Sequence, residues 1–278
     1  MLNTIHNAIS KVQAELAYRV ALKKHAKNLP AIASQDRCIV DSLKSEGVAV
    51  TSLKDLGLSS TSQLLAATKD ELINMTNDDR YINRHQLHNL PLIYTVTDIP
   101  SFSQWAQEER LIKIIENYIG LEVAFQGVHL RKDFNNTEQV GTQLWHKDAE
   151  DRRILKIFVY LNDVSEHHGP FEYIPKPITS SFLTYWRIYY SLLRTGFLGI
   201  NDEEMKRIVP KSAWKSCPGP VGTVILVDTR SVIHHGTLRQ TERSALFFVY
   251  TAKYPKHPEL CTQYSDQTFA RPKLGVSL

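Results

Sequence analysis

The H-x-D segment at residues 146–148 places two side chains that commonly bind metal ions close together. In an extended chain, residues two apart point the same way, so this imidazole and this carboxylate would share a face. An H-H-G segment begins 88 residues later (234 − 146), in another predicted strand. Two histidines and one carboxylate form a facial triad with open metal positions, which suits non-haem Fe(II) and O2 chemistry. The candidate catalytic residues and metal ligands are therefore His146, Asp148 and His234.

Arg243 follows His234 by nine residues (243 − 234) and lies at the start of the next predicted strand. A guanidinium that faces a metal site can bind a carboxylate through two parallel hydrogen bonds. This arrangement suits an oxygenase whose dicarboxylic co-substrate chelates the metal at one end and meets the arginine at the other. The same arginine could instead pair with a carboxylate on the barrel rim, and spacing favours neither interpretation.

Four neighbouring side chains also have two interpretations each. Arg131 and His129 lie on the strand before the H-x-D segment, where they either line the co-substrate pocket or form a surface pair. Lys156 either reaches an anion inside the barrel or extends its ammonium to solvent. Trp145 is favoured as a core residue, although an aromatic ring beside a candidate ligand could also contact substrate.

The chain changes character near residue 120. Residues 1–119 show mostly helical spacing, whereas the later part alternates apolar and polar residues and is punctuated by turn signals. Many short strands of this kind indicate an antiparallel sandwich or barrel, jelly rolls included. The predicted strands cover residues 121–131, 142–146, 154–161, 170–174, 222–227, 231–235 and 244–252.

Residues 178–209 interrupt the strands with a second helical pattern. We therefore expect one domain over residues 1–278, with a helical buttress (1–119), a core (120–252) that carries the insert (178–209), and a tail (253–278). Arg187 and Arg194 lie two helical turns apart on the insert, where they could face the barrel mouth and hold an anionic substrate. Core packing accounts for most of the insert's aromatic residues.

Several segments resemble, in order, the phytanoyl-CoA dioxygenase family of Fe(II)/2-oxoglutarate oxygenases. They read LWHKDAED (144–151), LKIFVYLNDV (155–164), GPFEYIP (169–175) and the stretch from Gly222-Thr223 through DTR (228–230) to HHG (234–236). The resemblance covers about residues 120–252. It implies a double-stranded β-helix core, Fe(II) held by the triad, and Arg243 on the carboxylate of 2-oxoglutarate, with O2 as the oxidant.

The sequence departs from the family pattern in two places near the second histidine. One extra residue follows Asp228, which leaves His234 and His235 as alternative ligands, and His234 is preferred because it keeps the H-x-G spacing. Relatives often place a serine that helps to hold 2-oxoglutarate where this chain has Gly236. Thr237 is the candidate substitute for that serine.

The resemblance implies a dioxygenase that hydroxylates or oxidatively demethylates a small metabolite. Asp148 favours these outcomes because related halogenases replace this carboxylate with a small residue. An amino-acid-derived natural product, such as a mycosporine-like amino acid, would suit the insert's cations. An acyl-CoA is less favoured because the sequence shows no concentrated phosphate-binding patch. The alternative from another class is a non-catalytic or zinc-binding jelly roll that uses the same triad as a structural site.

Composition excludes several other classes. The formal net charge is +4, without the concentrated basic stripe of a nucleic-acid-binding domain. The three cysteines are far apart and form no C-x-x-C pair, which favours a reducing, cytoplasmic setting. No apolar stretch is long enough to span a membrane. The expected partner is a small-molecule substrate, and nothing in the sequence indicates an oligomeric state.

Overall fold

Two antiparallel sheets form the centre of the protein. The structure is a computed structural model that describes residues 2–83 and 90–272. Six strands form the large sheet in the order β1-β7-β4-β9-β3-β2, and three form the small sheet in the order β6-β5-β8. In chain order the strands are β1 (Val48–Ser52), β2 (Leu92–Thr95), β3 (Val123–Asp133), β4 (Leu155–Tyr160), β5 (Phe171–Ile174), β6 (Lys215–Cys217), β7 (Thr223–Asp228), β8 (Ile233–Gly236) and β9 (Arg243–Ala252).

From β3 onward the chain passes repeatedly between the two sheets. β3, β4, β7 and β9 belong to the large sheet, whereas β5, β6 and β8 belong to the small one. A single antiparallel bridge between His146 and His234 extends the small sheet beyond β8. Counted with this bridge, eight segments lie in the order large, small, large, small, small, large, small and large sheet, which is the order of a double-stranded β-helix. The predicted jelly-roll core is therefore confirmed.

Alternation along the strands separates two sides of the large sheet. On β4, Leu155, Ile157 and Val159 face a core shared with the helices, whereas Phe158 and Tyr160 belong to a second core between the sheets. Side chains two apart lie on the same face of a strand, so one row of each strand faces the space between the sheets. That inner row is where the strands can present site residues.

Helices cover the outer face of the large sheet and occupy the predicted insert. The amphipathic helix α7 buries Leu111, Ile114, Ile115 and Tyr118 and ends at Gly120, whose φ of +81° provides the left-handed cap. The helices are α1 (Leu2–His25), α2 (Ser34–Ser45), α3 (Leu53–Leu56), α4 (Thr61–Thr76), α5 (Asp79–Ile82), α6 (Pro100–Ala106), α7 (Glu109–Ile119), α8 (Lys176–Thr179), α9 (Phe182–Arg194) and α10 (Asp202–Ile208). Among the described residues, no helix has both the length and the apolar character needed to cross a membrane.

Two segments differ from the sequence-based expectation. Residues 142–146 do not form a continuous strand: a 3-10 turn at Gly141–Gln143 precedes isolated bridges at Trp145 and His146. Gly141 adopts a φ of +54°, which breaks the extended conformation before the bridges begin. The tail is also folded, because two 3-10 turns, Pro258–Leu260 and Thr262–Tyr264, pack back toward β3.

Candidate metal centre

His146, Asp148 and His234 converge on one point inside the jelly roll. One ligand atom from each residue lies within 4.8 Å of the others. The two histidines are brought together by their own backbones, because each N–H donates to the other's carbonyl, at 3.0 and 3.1 Å. Their ring centroids are 4.4 Å apart, and Nε2 of His146 lies 3.9 Å from Oδ1 of Asp148.

Backbone carbonyls set the orientation of both imidazoles. Nδ1 of His146 lies 2.7 Å from the carbonyl oxygen of Leu144, and Nδ1 of His234 lies 3.3 Å from that of Val232. A neutral imidazole that donates from Nδ1 presents Nε2 as a free lone pair. Metal-ligating histidines commonly use this arrangement, so both rings are oriented for a shared ion.

The protonation states of the triad also suit a cation. Burial lowers the pKa of His146, and it lowers that of His234 to about 3, with a further contribution from the neighbouring imidazole. Burial alone would raise the pKa of Asp148, but the charge and hydrogen bond of Lys156, together with the two neighbouring imidazoles, outweigh it and hold that pKa below its usual range. Two neutral imidazoles and one carboxylate are the ligands of a 2-His-1-carboxylate site, and these residues therefore fit Fe(II).

Lys156 is an interior residue that holds the triad carboxylate. Its Nζ lies 2.7 Å from Oδ2 of Asp148 and 3.5 Å from Oε1 of Glu150, and it donates to the hydroxyl of Tyr264 at 3.0 Å. Tyr264 in turn donates to Glu150. Because the ammonium occupies Oδ2, Oδ1 of Asp148 is the oxygen left toward His146.

Three arginines surround one buried carboxylate in the same interior. Asp133 lies 2.8 Å from both Nε of Arg131 and Nη1 of Arg239, and 2.7 Å from Nη2 of Arg243. All four side chains are buried. Burial opposes ionisation of Asp133, but the three guanidiniums hold its pKa far below the usual range. Three cations and one anion leave a buried surplus of two positive charges, which favours an anionic ligand.

The guanidinium of Arg243 lies beside Gly236, two residues after His234 on β8. A Cβ at Gly236 would lie 3.5 Å from Nη2 of Arg243, so the guanidinium is beside the position that follows His234 on the same face. Residues two apart on a strand are separated by about 6.5 Å. A five-carbon dicarboxylate can span this separation with one end near the triad and the other at the guanidinium.

A cavity of about 300 Å³ contains the triad, Lys156, Arg131 and Arg243 together, and we call it the triad cavity. Apolar rings complete its walls, and the folded tail closes one side of it. His129 also lines this cavity, and its Nε2 donates to the carbonyl of Gln263, 3.0 Å away. The aromatic lining comes from Phe158, Tyr160, Phe171, Phe247, Tyr264 and Phe269.

The structure separates the two adjacent histidines that the sequence left as alternatives. His234 belongs to the triad, whereas the ring of His235 is stacked on Trp145 with centroids 3.8 Å apart. Nε2 of His235 lies 2.9 Å from Oε2 of Glu172, and its Nδ1 lies 2.9 Å from the carbonyl of Gln143. Both nitrogens of His235 therefore have partners away from the triad.

Four other candidate residues are not brought to the triad cavity. Trp145 is fully buried in the core and donates to Asp202 at 2.9 Å. The hydroxyl of Thr237 donates to the carbonyl of Pro170. Arg187 donates to backbone carbonyls at the end of α10, and Arg194 lies on the exposed side of α9. Of these, none lines the triad cavity.

Sequence reasoning missed four residues of this site, namely Asp133, Glu150, Arg239 and Tyr264. Two of them could have been found from their spacing to a candidate residue. Asp133 follows Arg131 by two residues and so shares its inner face, and Glu150 follows Asp148 in the same way. Arg239 and Tyr264 lie in a loop and in the tail, where no periodic pattern indicates a direction.

Comparison with known proteins supports the fold. No protein-family model matches the chain, and no curated protein matches it in sequence. The structure is similar to EctD from S. alaskensis with 2-oxoglutarate and 5-hydroxyectoine, at 18% identity and a TM-score of 0.52, covering 86% of this chain and 84% of that one. It is also similar to HygX from Streptomyces hygroscopicus with nickel and 2-oxoglutarate bound, at 16% identity and 0.50, covering 81% and 88%. These likenesses agree with the jelly-roll core.

Proposed function

We propose that this chain is an Fe(II)- and 2-oxoglutarate-dependent oxygenase that oxidises a small molecule. The main support for this proposal is that the triad and the surplus arginine charge share one cavity. A metal site alone would not need buried guanidiniums. Structures similar to this one were crystallised with 2-oxoglutarate, and EctD was also crystallised with bound Fe. The motif resemblance to phytanoyl-CoA dioxygenases points the same way.

Five residues of the triad cavity would bind or position the metal and the co-substrate. His146, Asp148 and His234 would hold Fe(II), and Arg243 would bind the distal carboxylate of 2-oxoglutarate. When bound, the metal and co-substrate would supply the oxidising chemistry, in which O2 is consumed, 2-oxoglutarate is decarboxylated to succinate and a substrate C–H bond is oxidised. Lys156 acts on Asp148 rather than on the substrate, because it occupies the second carboxylate oxygen.

Three apolar rings, Phe158, Phe171 and Phe247, line the interior between the arginines and the triad. Their role would be to exclude water from the reacting atoms, which strengthens the electrostatic interactions there. Asp133 would keep the three guanidiniums in place without neutralising them. The chain thus supplies orientation, charge and a dry surrounding, which is the part of the chemistry that a protein contributes to a cofactor reaction.

The volume and lining of the triad cavity favour a small and polar substrate. Its volume of about 300 Å³ must accommodate both 2-oxoglutarate and the substrate, which disfavours a bulky acyl-CoA. The insert's arginines lie elsewhere, so their support for an anionic substrate is lost. Polar lining by His129, Gln263 and Tyr264 suits an amino-acid-derived metabolite, a mycosporine-like amino acid being one example. The triad carboxylate favours hydroxylation or demethylation of that substrate.

A turnover assay with matched variants tests this function. Purified protein would be supplied with Fe(II), 2-oxoglutarate and a panel of amino-acid-derived metabolites in air, and succinate would be measured. We expect substrate-dependent succinate from the wild type. Asp148→Ala should abolish it, and Arg243→Ala should raise the 2-oxoglutarate concentration needed. Succinate formation that is unchanged in Asp148→Ala would contradict the proposal.

The competing function is a structural zinc site in a non-catalytic jelly roll. Structural zinc is normally held by four protein ligands, whereas the described residues bring together three. Such a site also leaves the buried arginine surplus without a purpose. If zinc raised the unfolding temperature and 2-oxoglutarate did not bind the Fe(II)-loaded protein, the zinc function would be favoured.

A further inference from the structure

A second cavity lies on the opposite side of the H-x-D segment, between that segment and helix α9. It has a volume of about 440 Å³, and its lining shares no residue with that of the triad cavity. Lys147 and Arg230 contribute positive charge, and Tyr185, Tyr189 and Phe197 contribute aromatic surface. We call it the α9 cavity. Because side chains alternate along the segment, Lys147 points away from the side that His146 and Asp148 occupy.

The two cations of the α9 cavity bond to backbone carbonyls rather than to carboxylates. Nζ of Lys147 donates to the carbonyl of Ser231 at 3.0 Å, and Nη1 of Arg230 donates to the carbonyl of Asp148 at 3.3 Å. Within residues 2–83 and 90–272, neither cation forms a close ion pair with an acidic side chain, although the buried carboxylate of Asp228 attracts Lys147 from a greater distance. Two adjacent positive charges repel each other, so an anion bound between them would be stabilised by both.

Phe197 presents an exposed aromatic ring to the α9 cavity from the turn that follows α9. Its φ is +64°, and it is the only described residue other than glycine with a positive φ. This conformation is unfavourable for a bulky residue, and it is held by a hydrogen bond of 2.7 Å from the N–H of Phe197 to the carbonyl of Leu192 at the end of α9. The ring gains little from core packing, because the residue is 54% exposed. Its contact is instead Tyr189 on the cavity wall, with ring centroids 5.9 Å apart.

We propose that the α9 cavity binds a small amphipathic carboxylate. Its carboxylate would lie between Lys147 and Arg230, and its apolar body would lie against Tyr185, Tyr189 and Phe197. This separation of a cationic end from an aromatic wall matches a ligand with one charged and one apolar end. The proposal concerns a second site and does not depend on iron or 2-oxoglutarate.

Calorimetric titration of the metal-free, full-length protein tests this site. The probe is 4-phenylbutyrate, compared with 4-phenylbutan-1-ol, which lacks the charge, and with butyrate, which lacks the ring. We expect saturable binding of 4-phenylbutyrate with a Kd lower than that of either comparison compound by about tenfold or more. Equal affinity for the alcohol would overturn the proposal, because the two cations would then contribute nothing.

Two charge variants locate the binding. Lys147→Gln and Arg230→Gln should each weaken 4-phenylbutyrate by about tenfold. Lys54→Gln removes an exposed lysine that does not line the cavity and should leave the Kd unchanged. If both cavity variants bind as the wild type does, the ligand does not use these cations and the proposal is wrong.

Phe197→Gly separates loss of the site from loss of the fold. Glycine adopts the positive φ without strain, so the unfolding temperature should be maintained or raised while 4-phenylbutyrate binding weakens. Excess 2-oxoglutarate must leave the Kd unchanged. Competition would instead assign the probe to the arginines of the triad cavity and overturn the proposal, and the proposed oxygenase function would remain intact.

Discussion

Asp133 is the residue on which the arginine cluster depends. It is completely buried and contacts Arg131, Arg239 and Arg243. Asp133→Asn keeps the shape but leaves three buried guanidiniums without a carboxylate, so we expect a loss of about 3 kcal/mol or more in the free energy of unfolding. Urea unfolding monitored by circular dichroism measures this loss.

A surface substitution provides the reference for this experiment. Asp266→Asn removes an exposed carboxylate whose contact is the local turn at Thr268, and it should change stability by much less than Asp133→Asn. Similar stabilities for the two variants would show that the arginine cluster does not need its central charge.

His129 makes stability depend on pH. Burial lowers the pKa of His129 from 6.5 to about 4. Between these two pH values the unfolded chain therefore binds a proton that the folded chain does not. Stability should therefore fall as the pH drops from about 6.5 to about 4, and this residue should account for about 3 kcal/mol of the fall. In His129→Gln, urea unfolding of the metal-free protein should show a pH dependence weaker by that amount.

His167→Gln is the matched control, because His167 is an exposed histidine in a turn. It should retain the full pH dependence of the wild type. If His129→Gln and His167→Gln lose stability equally on acidification, burial of His129 is not the cause.

The sequence indicated the three candidate ligands and several lining residues of the triad cavity, but not the partners that hold them. The pairing of His146 with Asp148 follows from alternation along an extended segment, which is a local property, and His234 was preferred because it keeps the H-x-G spacing. The path of the tail depends on packing against β3, so no local pattern places Tyr264 beside Lys156. Spacing also left undecided whether Arg243 binds a co-substrate or a carboxylate of the protein, because its partner Asp133 comes from another strand.

At the element scale, β3 accommodates the tail through Gly127. Its φ is +142°, and a Cβ there would lie 2.0 Å from the carbonyl oxygen of Tyr264. Gly127→Ala must push the tail away from the strand and loosen that side of the triad cavity. We expect faster amide hydrogen exchange in residues 258–269 and a loss of about 1–3 kcal/mol in stability.

Gly141→Ala distinguishes this clash from backbone strain. Gly141 also has a positive φ, but a Cβ there would meet no atom within 4 Å. Its variant should lose some stability through strain while exchange in the tail stays at the wild-type rate. Equal protection of the tail in both variants would contradict the close approach at Gly127.

The long strands were predictable, whereas two of the short ones were not. The predicted bounds agree within two residues for β3, β4, β7 and β9, which are runs rich in Val, Ile, Phe and Tyr. β2 and β6 have four and three residues and were not predicted. A segment this short shows little periodicity, so β2 and β6 depend on pairing with neighbouring strands for their conformation.

At the scale of the whole molecule, the jelly roll brings together chemistry from distant parts of the chain. The small sheet supplies His146 and His234 through one bridge, and the large sheet supplies Lys156, Arg131 and Arg243 from its inner face. The tail then closes the cavity with Tyr264. A candidate metal site and a surplus of cationic charge thus share one enclosed space, which is the physical basis of the proposed co-substrate requirement.

Anaerobic calorimetric titration of 2-oxoglutarate into the protein, with and without Fe(II), tests the proposed oxygenase function most directly. Chelation of the metal by 2-oxoglutarate predicts binding that is at least about tenfold tighter with Fe(II), accompanied by a weak visible absorption band. Asp148→Ala should lose both the metal-dependent gain and the band. Equal affinity for 2-oxoglutarate with and without Fe(II), and no band, would contradict the binding of metal and co-substrate together in this cavity.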